Sequence, residues 1–214
     1  AGTAIWNDSY TMTSPIAVER NDYTAIFETG GRTVKMYNEE GFVYDVQTQD
    51  TILSVSVAEN GSIGVITNGT SYTVTVYSPS GNMLFQRVEA ESGIYPLCCD
   101  VSPDGEIIAI SYIDTTGVEI KSKIGMFYIN SDVGADYTDS MYGAVEKNDE
   151  IIFKMYFMGG NNLIAIGDRN ITSISAAGVE EGSVEVTNEI MGVGLCGNKI
   201  AMIYGEELSD KEGE

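Results

Sequence analysis

Short apolar runs separated by turns of Asn, Asp and Gly repeat along the whole chain. In DVSPDGEIIAIS, residues 100–111, two apolar runs flank a turn at Pro103–Gly105. Similar phrases occur as SVAENGSIGVIT at 56–67, YFMGGNNLIAIG at 156–167 and LCGNKIAMIYG at 195–205. Asn, Asp and Gly adopt the left-handed backbone conformations that a short hairpin turn requires. Each phrase therefore predicts a β-hairpin.

The hairpin turns recur with a regular spacing. Turns at Asp22, Gly61, Gly105, Asn161 and Asn198 are separated by 39, 44, 56 and 37 residues. An internal repeat of about forty residues is typical of a propeller or a solenoid. Every repeat begins with an apolar run, which we interpret as a first strand: PIAVE (15–19), ILSVSV (52–57), LCCDV (97–101), IIFKMYF (151–157) and MGVGL (191–195).

The remaining runs of each repeat predict three more strands. Second strands are continuously apolar, as is typical of strands buried on both faces, and lie at 24–27, 63–66, 107–110, 163–166 and 200–203. Third strands alternate between apolar and polar residues and lie at 33–38, 72–78, 124–130 and 171–177. Fourth strands lie at 42–48, 83–89, 140–146 and 183–189. A four-strand period favours a β-propeller over a sandwich, and the repeat is longer than the coils of a β-helix.

We therefore predict an all-β fold, a β-propeller of four-stranded antiparallel blades that forms a single domain, or part of one, over residues 1–214. The predicted blades are 15–50, 51–93, 94–149, 150–189 and a partial 190–205, with an acidic tail at 206–214. TAIW, at 3–6, fits the fourth strand of a preceding blade. Because two strands remain at one end and one at the other, we predict an incomplete ring of about four full blades plus parts of two others. A five-bladed ring closed by Trp6 and its neighbours is the alternative.

The charge of the chain is strongly acidic. There are 32 Asp and Glu residues against 11 Lys and Arg, which gives a net charge of −21 and a pI near 4.1. Binding of nucleic acid requires clustered cations, so a nucleic-acid partner is excluded. A soluble, self-repelling surface is the simplest interpretation, and a basic partner or weak binding of divalent cations is the alternative.

Residue types that are rare or absent limit the chemistry further. The chain has no histidine, which removes the most common general base and every Ser-His-Asp arrangement. Cys98, Cys99 and Cys196 lack the spacing of a metal site, and we predict that the adjacent pair are buried free thiols. No apolar run approaches the 18 or so residues that span a bilayer, so we predict no membrane insertion by this segment.

Several phrases resemble known propellers. SPDGEIIAIS resembles the turn between the first and second strands of WD40-like and YVTN-like propellers, and TAIW resembles strands of quinoprotein-like propellers. Over nearly the whole chain, SPDGEIIAISYID, SKIGMFYINSDVG, AIGDRNITSI and KIAMIYG are similar to an uncharacterised propeller family of Firmicutes. The resemblance implies a propeller outside the cytoplasm, anchored by an N-terminal helix that this sequence lacks. An extracytoplasmic location is therefore expected, with a cytoplasmic one as the alternative.

The resemblance brings no catalytic residue and no cofactor, so candidate sites come from the residues alone. The third repeat is the longest, and its additions at 113–122 and 142–150 are predicted to be loops on one face of the propeller. On that face we predict a binding surface that includes Asp114, Glu119, Tyr142 and Glu146. Nearby, Asp132, Asp136 and Asp139 form a weak candidate for a calcium site, because calcium prefers several oxygen ligands. A solvated acidic loop explains them more simply.

Two function hypotheses follow. The first is a non-enzymatic module that recognises or scaffolds a protein or a cell-envelope polymer. The second is a carbohydrate-active or quinoprotein-like enzyme whose catalytic residues lie partly outside this chain. The central axis should distinguish them, because an enzyme would gather carboxylates with shifted pKa values or a metal there. A scaffold would place small residues such as Ser56, Gly192 and Gly194 near the axis.

Overall fold

Antiparallel strands make up most of the structure. The computed structural model describes residues 6–197 and 199–207, in which eighteen strands form four four-stranded sheets and one two-stranded sheet. In each sheet the strands pair in the order in which they occur along the chain. The four-stranded sheets are the blades of a β-propeller, so the predicted all-β fold is confirmed.

Each blade consists of four consecutive strands, of which the first is innermost in the propeller and the fourth is outermost. The first blade contains β1 Ile16–Arg20, β2 Tyr23–Phe27, β3 Thr33–Asn38 and β4 Gly41–Gln47. The second contains β5 Thr51–Val57, β6 Ile63–Asn68, β7 Tyr72–Tyr77 and β8 Met83–Glu89. The third contains β9 Ile94–Val101, β10 Ile107–Asp114, β11 Lys121–Tyr128 and β12 Met141–Asn148. The fourth contains β13 Ile152–Met158, β14 Asn162–Gly167, β15 Asn170–Ile174 and β16 Glu180–Glu185.

The remaining elements are short. A fifth, two-stranded sheet contains β17 Asn188–Cys196 and β18 Lys199–Glu207. Between β11 and β12 the chain forms the single-turn helix α1, Ser131–Gly134, and a 3₁₀ turn at Thr138–Ser140, and a second 3₁₀ turn lies at Gly159–Asn161. No helix in the described part of the chain is long and apolar enough to cross a membrane.

Apolar cores lie between successive blades rather than inside any one of them. Val34 of the first blade packs in one cluster with Ile52 of the second, and Ile66 packs in the next cluster with Ile108 of the third. A third cluster joins the third blade to the fourth. The second strands of the two middle blades, β6 and β10, are buried on both faces because these blades are covered on two sides, which explains their continuously apolar sequences, whereas β2 and β14 keep half-buried residues.

A small residue in each second strand lets neighbouring blades approach closely. These residues are Ala25, Gly64, Ala109 and Ala165, and all four are buried. At Gly64, an added Cβ would lie 3.0 Å from Cys99 Sγ of the next blade and 2.8 Å from Ser56 Oγ. The repeated small residue in the sequence is therefore a requirement of inter-blade packing.

Two predictions concern the segment before the first blade: a strand of a preceding blade and a strand that closes the ring. From Trp6 onward it forms no strand until β1, and residues 1–5 lie outside the described residues. The Trp6 ring stacks on Tyr37, with 5.3 Å between ring centroids and 3° between ring planes, and its indole N–H donates to Glu39 O at 3.0 Å. Trp6 therefore covers the first blade and belongs to no strand, while residues 3–5 of the strand predicted for a preceding blade lie outside the described residues.

The second end of the chain agrees with the predicted partial blade. β17 and β18 correspond to its two strands, but β18 extends to Glu207 and so includes the first residues predicted as the acidic tail. Residues 208–214 of that tail lie outside the described residues. The prediction of four full blades is confirmed, and a preceding blade has no strand among the described residues.

The turn at Gly61 gives a test of the packing between blades. Gly61 has φ +85°, and an added Cβ would lie 2.7 Å from the Tyr23 ring. Gly61→Ala should lower the free energy of unfolding by more than the roughly 1–2 kcal/mol that left-handed backbone costs an L-residue. Urea denaturation measures this loss. Gly30→Ala is the control, because Gly30 has φ +81° but nothing within 4 Å of its added Cβ. Equal losses in the two variants would contradict a close contact with Tyr23.

Candidate functional site

A buried charged cluster joins all four blades where their first strands meet. Arg20, at the end of β1, lies with Nη2 3.3 Å from Glu59 Oε1 and with Nη1 3.5 Å from Asp100 Oδ2. It also donates a hydrogen bond to Phe157 O in β13. In turn, the Phe157 N–H donates to Asp100 Oδ2 at 2.6 Å. One side chain therefore contacts a residue from each of the other three blades.

Burial dominates the electrostatics of this cluster. Arg20 is 5% exposed and Asp100 is 3% exposed. Loss of solvent raises the pKa of Asp100 to about 7, although the charge of Arg20 and the Phe157 N–H oppose the increase. The Asp100 side chain faces Arg20 and accepts the Phe157 N–H, so it links the third blade to the first and the fourth.

The residues where the first strands meet match neither the scaffold hypothesis nor the enzyme hypothesis as stated. Small residues were expected there for a scaffold, but Arg20 and Asp100 occupy the position where the first strands meet. A carboxylate with a raised pKa was expected for an enzyme, but Asp100 is buried and bonded. The predicted burial of Cys98 and Cys99 as free thiols is confirmed, and burial raises the pKa of the Cys99 thiol to about 12.

A groove lies between the second and third blades, and we call it the β8 groove. Three adjoining cavities of about 410, 530 and 500 Å³ form it. The first and second share Leu84, Ile129 and Ser131 as lining residues, and the second and third share Arg87. One wall is residues 84–89 of β8. The opposite wall belongs to the third blade and includes Tyr112, Phe127, Ile129, Ser131, Met141 and Glu146.

The floor of the groove is held by a polar and aromatic cluster. Arg87 lies over the Phe127 ring, 4.8 Å from its guanidinium carbon to the ring centroid, and its Nε donates to Glu89 Oε1 at 2.5 Å. Tyr112 donates its hydroxyl to the same oxygen at 2.6 Å. Burial, followed by this hydrogen bond, raises the pKa of Tyr112. These contacts tie β8 to the third blade and leave the apolar side chains beside them exposed.

Three of the four residues predicted for the binding surface lie at the same end of the third blade. Asp114 ends β10 and pairs with Lys123, 2.6 Å from Nζ to Oδ2, and Glu146 pairs with Lys121 at 2.8 Å. Hydrogen bonds from Lys123 and then from Thr116 hold the pKa of Asp114 below its usual value. Glu119 is exposed in the loop between β10 and β11. Of these residues, Glu146 also lines the β8 groove.

Tyr142 lies at the opposite end of this blade. Strand β12 includes residues 142–148, which agrees with the fourth strand predicted at 140–146 and not with the loop predicted at 142–150. Tyr142 packs on Tyr128 with 4.6 Å between ring centroids, and on Tyr137 with 6.5 Å. The prediction that Tyr142 shares a face with Asp114 is therefore wrong, because the connection between β11 and β12 places it near the other end of the strands.

The acidic residues of that connection do not form a metal site. Among residues 6–197 and 199–207, no three carboxylate, thiol or imidazole groups are placed to hold a metal ion. The Asn130 side chain caps α1 by accepting the Asp132 N–H at Oδ1, and Asp139 Oδ2 lies 3.9 Å from Arg87 Nη1. The structure therefore does not bring Asp132, Asp136 and Asp139 together as ligands.

With this geometry established, the chain can be compared with known proteins. The model of a family of unknown function (DUF5711) matches residues 1–214. The chain belongs to this family. No curated protein matches the sequence of this DUF5711 chain.

Solved structures show the same fold in distant proteins. The DUF5711 chain is similar to hydrazine synthase from Kuenenia stuttgartiensis, with a TM-score of 0.59 and 12% identity over 86% of this chain and 68% of that one. It is also similar to BamB from Moraxella catarrhalis, with a TM-score of 0.52 and 14% identity over 85% of this chain and 54% of that one. The DUF5711 chain thus spans between about half and two thirds of their lengths. Identities this low establish the fold alone.

Removal of Arg20 tests the structural role of the axial cluster in this DUF5711 chain. Arg20→Met leaves Asp100 buried without its cation, which should cost about 3–5 kcal/mol of stability at pH 8. Urea denaturation measures the loss. Arg169→Met is the control, because Arg169 and Asp149 form an exposed pair, 3.0 Å apart, worth about 0–1 kcal/mol. Similar losses in both variants would contradict a role for Arg20 in joining the blades.

The raised pKa of Asp100 predicts a pH dependence. The folded state holds a proton on Asp100 below about pH 7, whereas the unfolded chain holds it only below 3.8. Stability from this group should therefore rise as the pH falls from about 7 to 4, by at most about 1.4 kcal/mol per pH unit. Asp100→Asn should remove that contribution and keep an acceptor for the Phe157 N–H. Parallel curves of unfolding free energy against pH for the two proteins would disprove the assignment.

Proposed function

We propose that this protein is a non-enzymatic recognition module that binds a protein partner in the β8 groove. The proposal rests on one observation: a continuous groove between two blades is lined by large apolar side chains that are exposed. Exposed apolar side chains gathered at a groove are typical of interaction sites. Such side chains in or beside the groove are Met83 at 60% exposure, Leu84 at 47%, Val88 at 58%, Val133 at 51% and Met141 at 42%.

Charges around the groove favour a basic partner. The cations Arg87 and Lys123 are already paired with Glu89 and Asp114. Glu91 and Glu106 line the groove and make no ion pair with the described residues. Together with the net charge of −21, these carboxylates would attract a segment that carries Lys or Arg.

The alternative hypothesis, an enzyme, receives no support from Asp100, the carboxylate among the described residues whose pKa lies near neutrality. Asp100 is 3% exposed, and its Oδ2 accepts a backbone N–H while facing Arg20. A general acid or base must reach its substrate directly or through one water molecule. The observations therefore favour recognition over catalysis at the axis.

The proposal retains the extracytoplasmic location that the family resemblance implies. Digestion of intact cells with an added protease tests it, because a protein outside the membrane is cleaved while a cytoplasmic control survives. Survival of both proteins would place the module in the cytoplasm.

Selection of peptides from a random library tests the proposed function. Seven-residue peptides displayed on phage would be selected on the immobilised chain, and their affinities measured by fluorescence anisotropy. Leu84→Asp should weaken binding of the selected peptides by at least tenfold, because it places a charge on the apolar wall of the groove.

A matched variant distinguishes the groove from other exposed strands. Val184, on the outermost strand of the fourth blade, is 68% exposed, and Val184→Asp should leave the affinity unchanged. Peptides that bind both variants as well as they bind the unchanged protein would overturn the proposal. Groove-dependent binding of cell-wall polysaccharide, with no groove-dependent peptide, would replace the protein partner with an envelope polymer.

A further inference from the structure

The central cavity of the β8 groove lies along the edge of a strand. Five consecutive residues, 84–88, line this one cavity of about 530 Å³. Successive side chains of a strand point to opposite faces, so a cavity on one face contacts only every second residue. Contact with all five means that the cavity follows the strand edge, where residues of both faces are within reach.

No described residue pairs with the outer edge of β8. β8 is the outermost strand of the second blade and pairs only with β7 within residues 6–197 and 199–207. Its outward backbone N–H and C=O groups therefore face the cavity, as in any edge strand. Across the cavity lie Ile129, Ser131, Asp139 and Ser140 of the connection between β11 and β12. A segment in the cavity would lie between that connection and β8.

The dimensions and side chains suit an extended segment. Five residues of a strand extend over about 17 Å, and an added strand lies about 4.8 Å from its neighbour. Leu84, Gln86 and Val88 share one face of β8, and the two apolar members are exposed. Alternate apolar side chains of an added strand would pack against Leu84 and Val88.

The acidic side chains at the groove favour a partner that carries a cation. Glu89 ends β8, and Glu91 follows it on the wall of the adjoining cavity. Asp139 has a side chain that is 74% exposed and lies beside the central cavity. Glu91 makes no ion pair with the described residues, and Lys123, which lines the same cavity, is paired with Asp114, so a cation of the partner could pair with Glu91.

We propose that an extended polypeptide segment adds to β8 as a further antiparallel or parallel strand, with apolar residues at alternate positions and a Lys or Arg beside Glu91. This inference rests on the proposed function and specifies how its partner is held. Main-chain hydrogen bonds to the β8 edge supply affinity, and Leu84, Val88 and Glu91 supply specificity.

Methylation of the peptide backbone tests the pairing directly. A peptide selected in the experiment above would be synthesised with N-methyl groups at its odd positions or at its even positions. An added strand uses every second N–H to pair with β8, so one set should lose at least a hundredfold in affinity and the other less than threefold. If both sets bind normally, or both lose affinity equally, strand addition is wrong, while groove-dependent binding of the unmodified peptide still supports the proposed function.

Variants of β8 provide an independent readout. A charged side chain on an edge strand opposes pairing, and Val88 is one of the proposed apolar contacts, so Val88→Lys should weaken peptide binding at least tenfold, and Val184→Lys on β16 should not. Glu91→Gln should weaken peptides that carry Lys or Arg by a few-fold and leave their Gln-substituted versions unaffected. Equal binding by Val88→Lys and Val184→Lys would contradict pairing at β8, and equal binding by Glu91→Gln would contradict the basic partner.

Hydrogen exchange separates a peptide partner from a second copy of the chain. Bound peptide should slow amide exchange at alternate residues within 84–88, and the free protein should remain monomeric in sedimentation at the same concentration. Protection of these amides without peptide, together with a dimer that Val88→Lys abolishes, would overturn the proposed occupant in favour of a second copy.

Discussion

The contact between Arg20 and Asp100 is the interaction on which the arrangement of blades depends. Hairpins hold each blade together locally, but only contacts between distant strands fix one blade against another. Arg20 reaches Glu59, Asp100 and Phe157, which belong to the second, third and fourth blades. A buried ion pair contributes little net stability, yet loss of one partner is costly because the other charge remains without compensation. The cluster therefore specifies the arrangement of the blades more than it strengthens it.

The same arrangement creates the groove. Near the centre, small residues such as Gly64 let adjacent blades pack closely, and the residues of β6 from Ile63 to Thr67 are buried. At the periphery the blades separate, and β8 keeps large apolar side chains in contact with solvent. Arg87 bridges part of the gap by lying over Phe127, so the second and third blades remain joined beneath an open cavity. The radial arrangement of the blades thus produces both the close packing near the centre and the open groove at the periphery.

The sequence predicts the strands well and the site only in part. Hairpin turns and alternating residues are local signals, which is why all four full blades and the partial fifth were found. Arg20 and Asp100 were missed because an ion pair between distant residues leaves no local pattern. The position of Tyr142 was predicted wrongly because the extra residues of the third blade form the helix and the 3₁₀ turn between β11 and β12, at the opposite end of the blade from Asp114. The β8 groove had one signal in the sequence, the adjacent apolar residues of MLFQRVE, because Met83 and Leu84 lie on an outer strand and both are exposed.

The segment before β1 gives the molecule a built-in optical probe. Trp6 is the single tryptophan of the sequence, and it stacks on Tyr37. Asp8 accepts the Tyr37 hydroxyl at 2.7 Å, and Glu28 accepts the N–H groups of Thr13 and Ser14, so the segment is bound to the first blade at several points. Tryptophan emission should consequently report on the attachment of this segment to the first blade. A fluorescence transition and a circular dichroism transition will coincide only where release of the segment and melting of the sheets are one cooperative process.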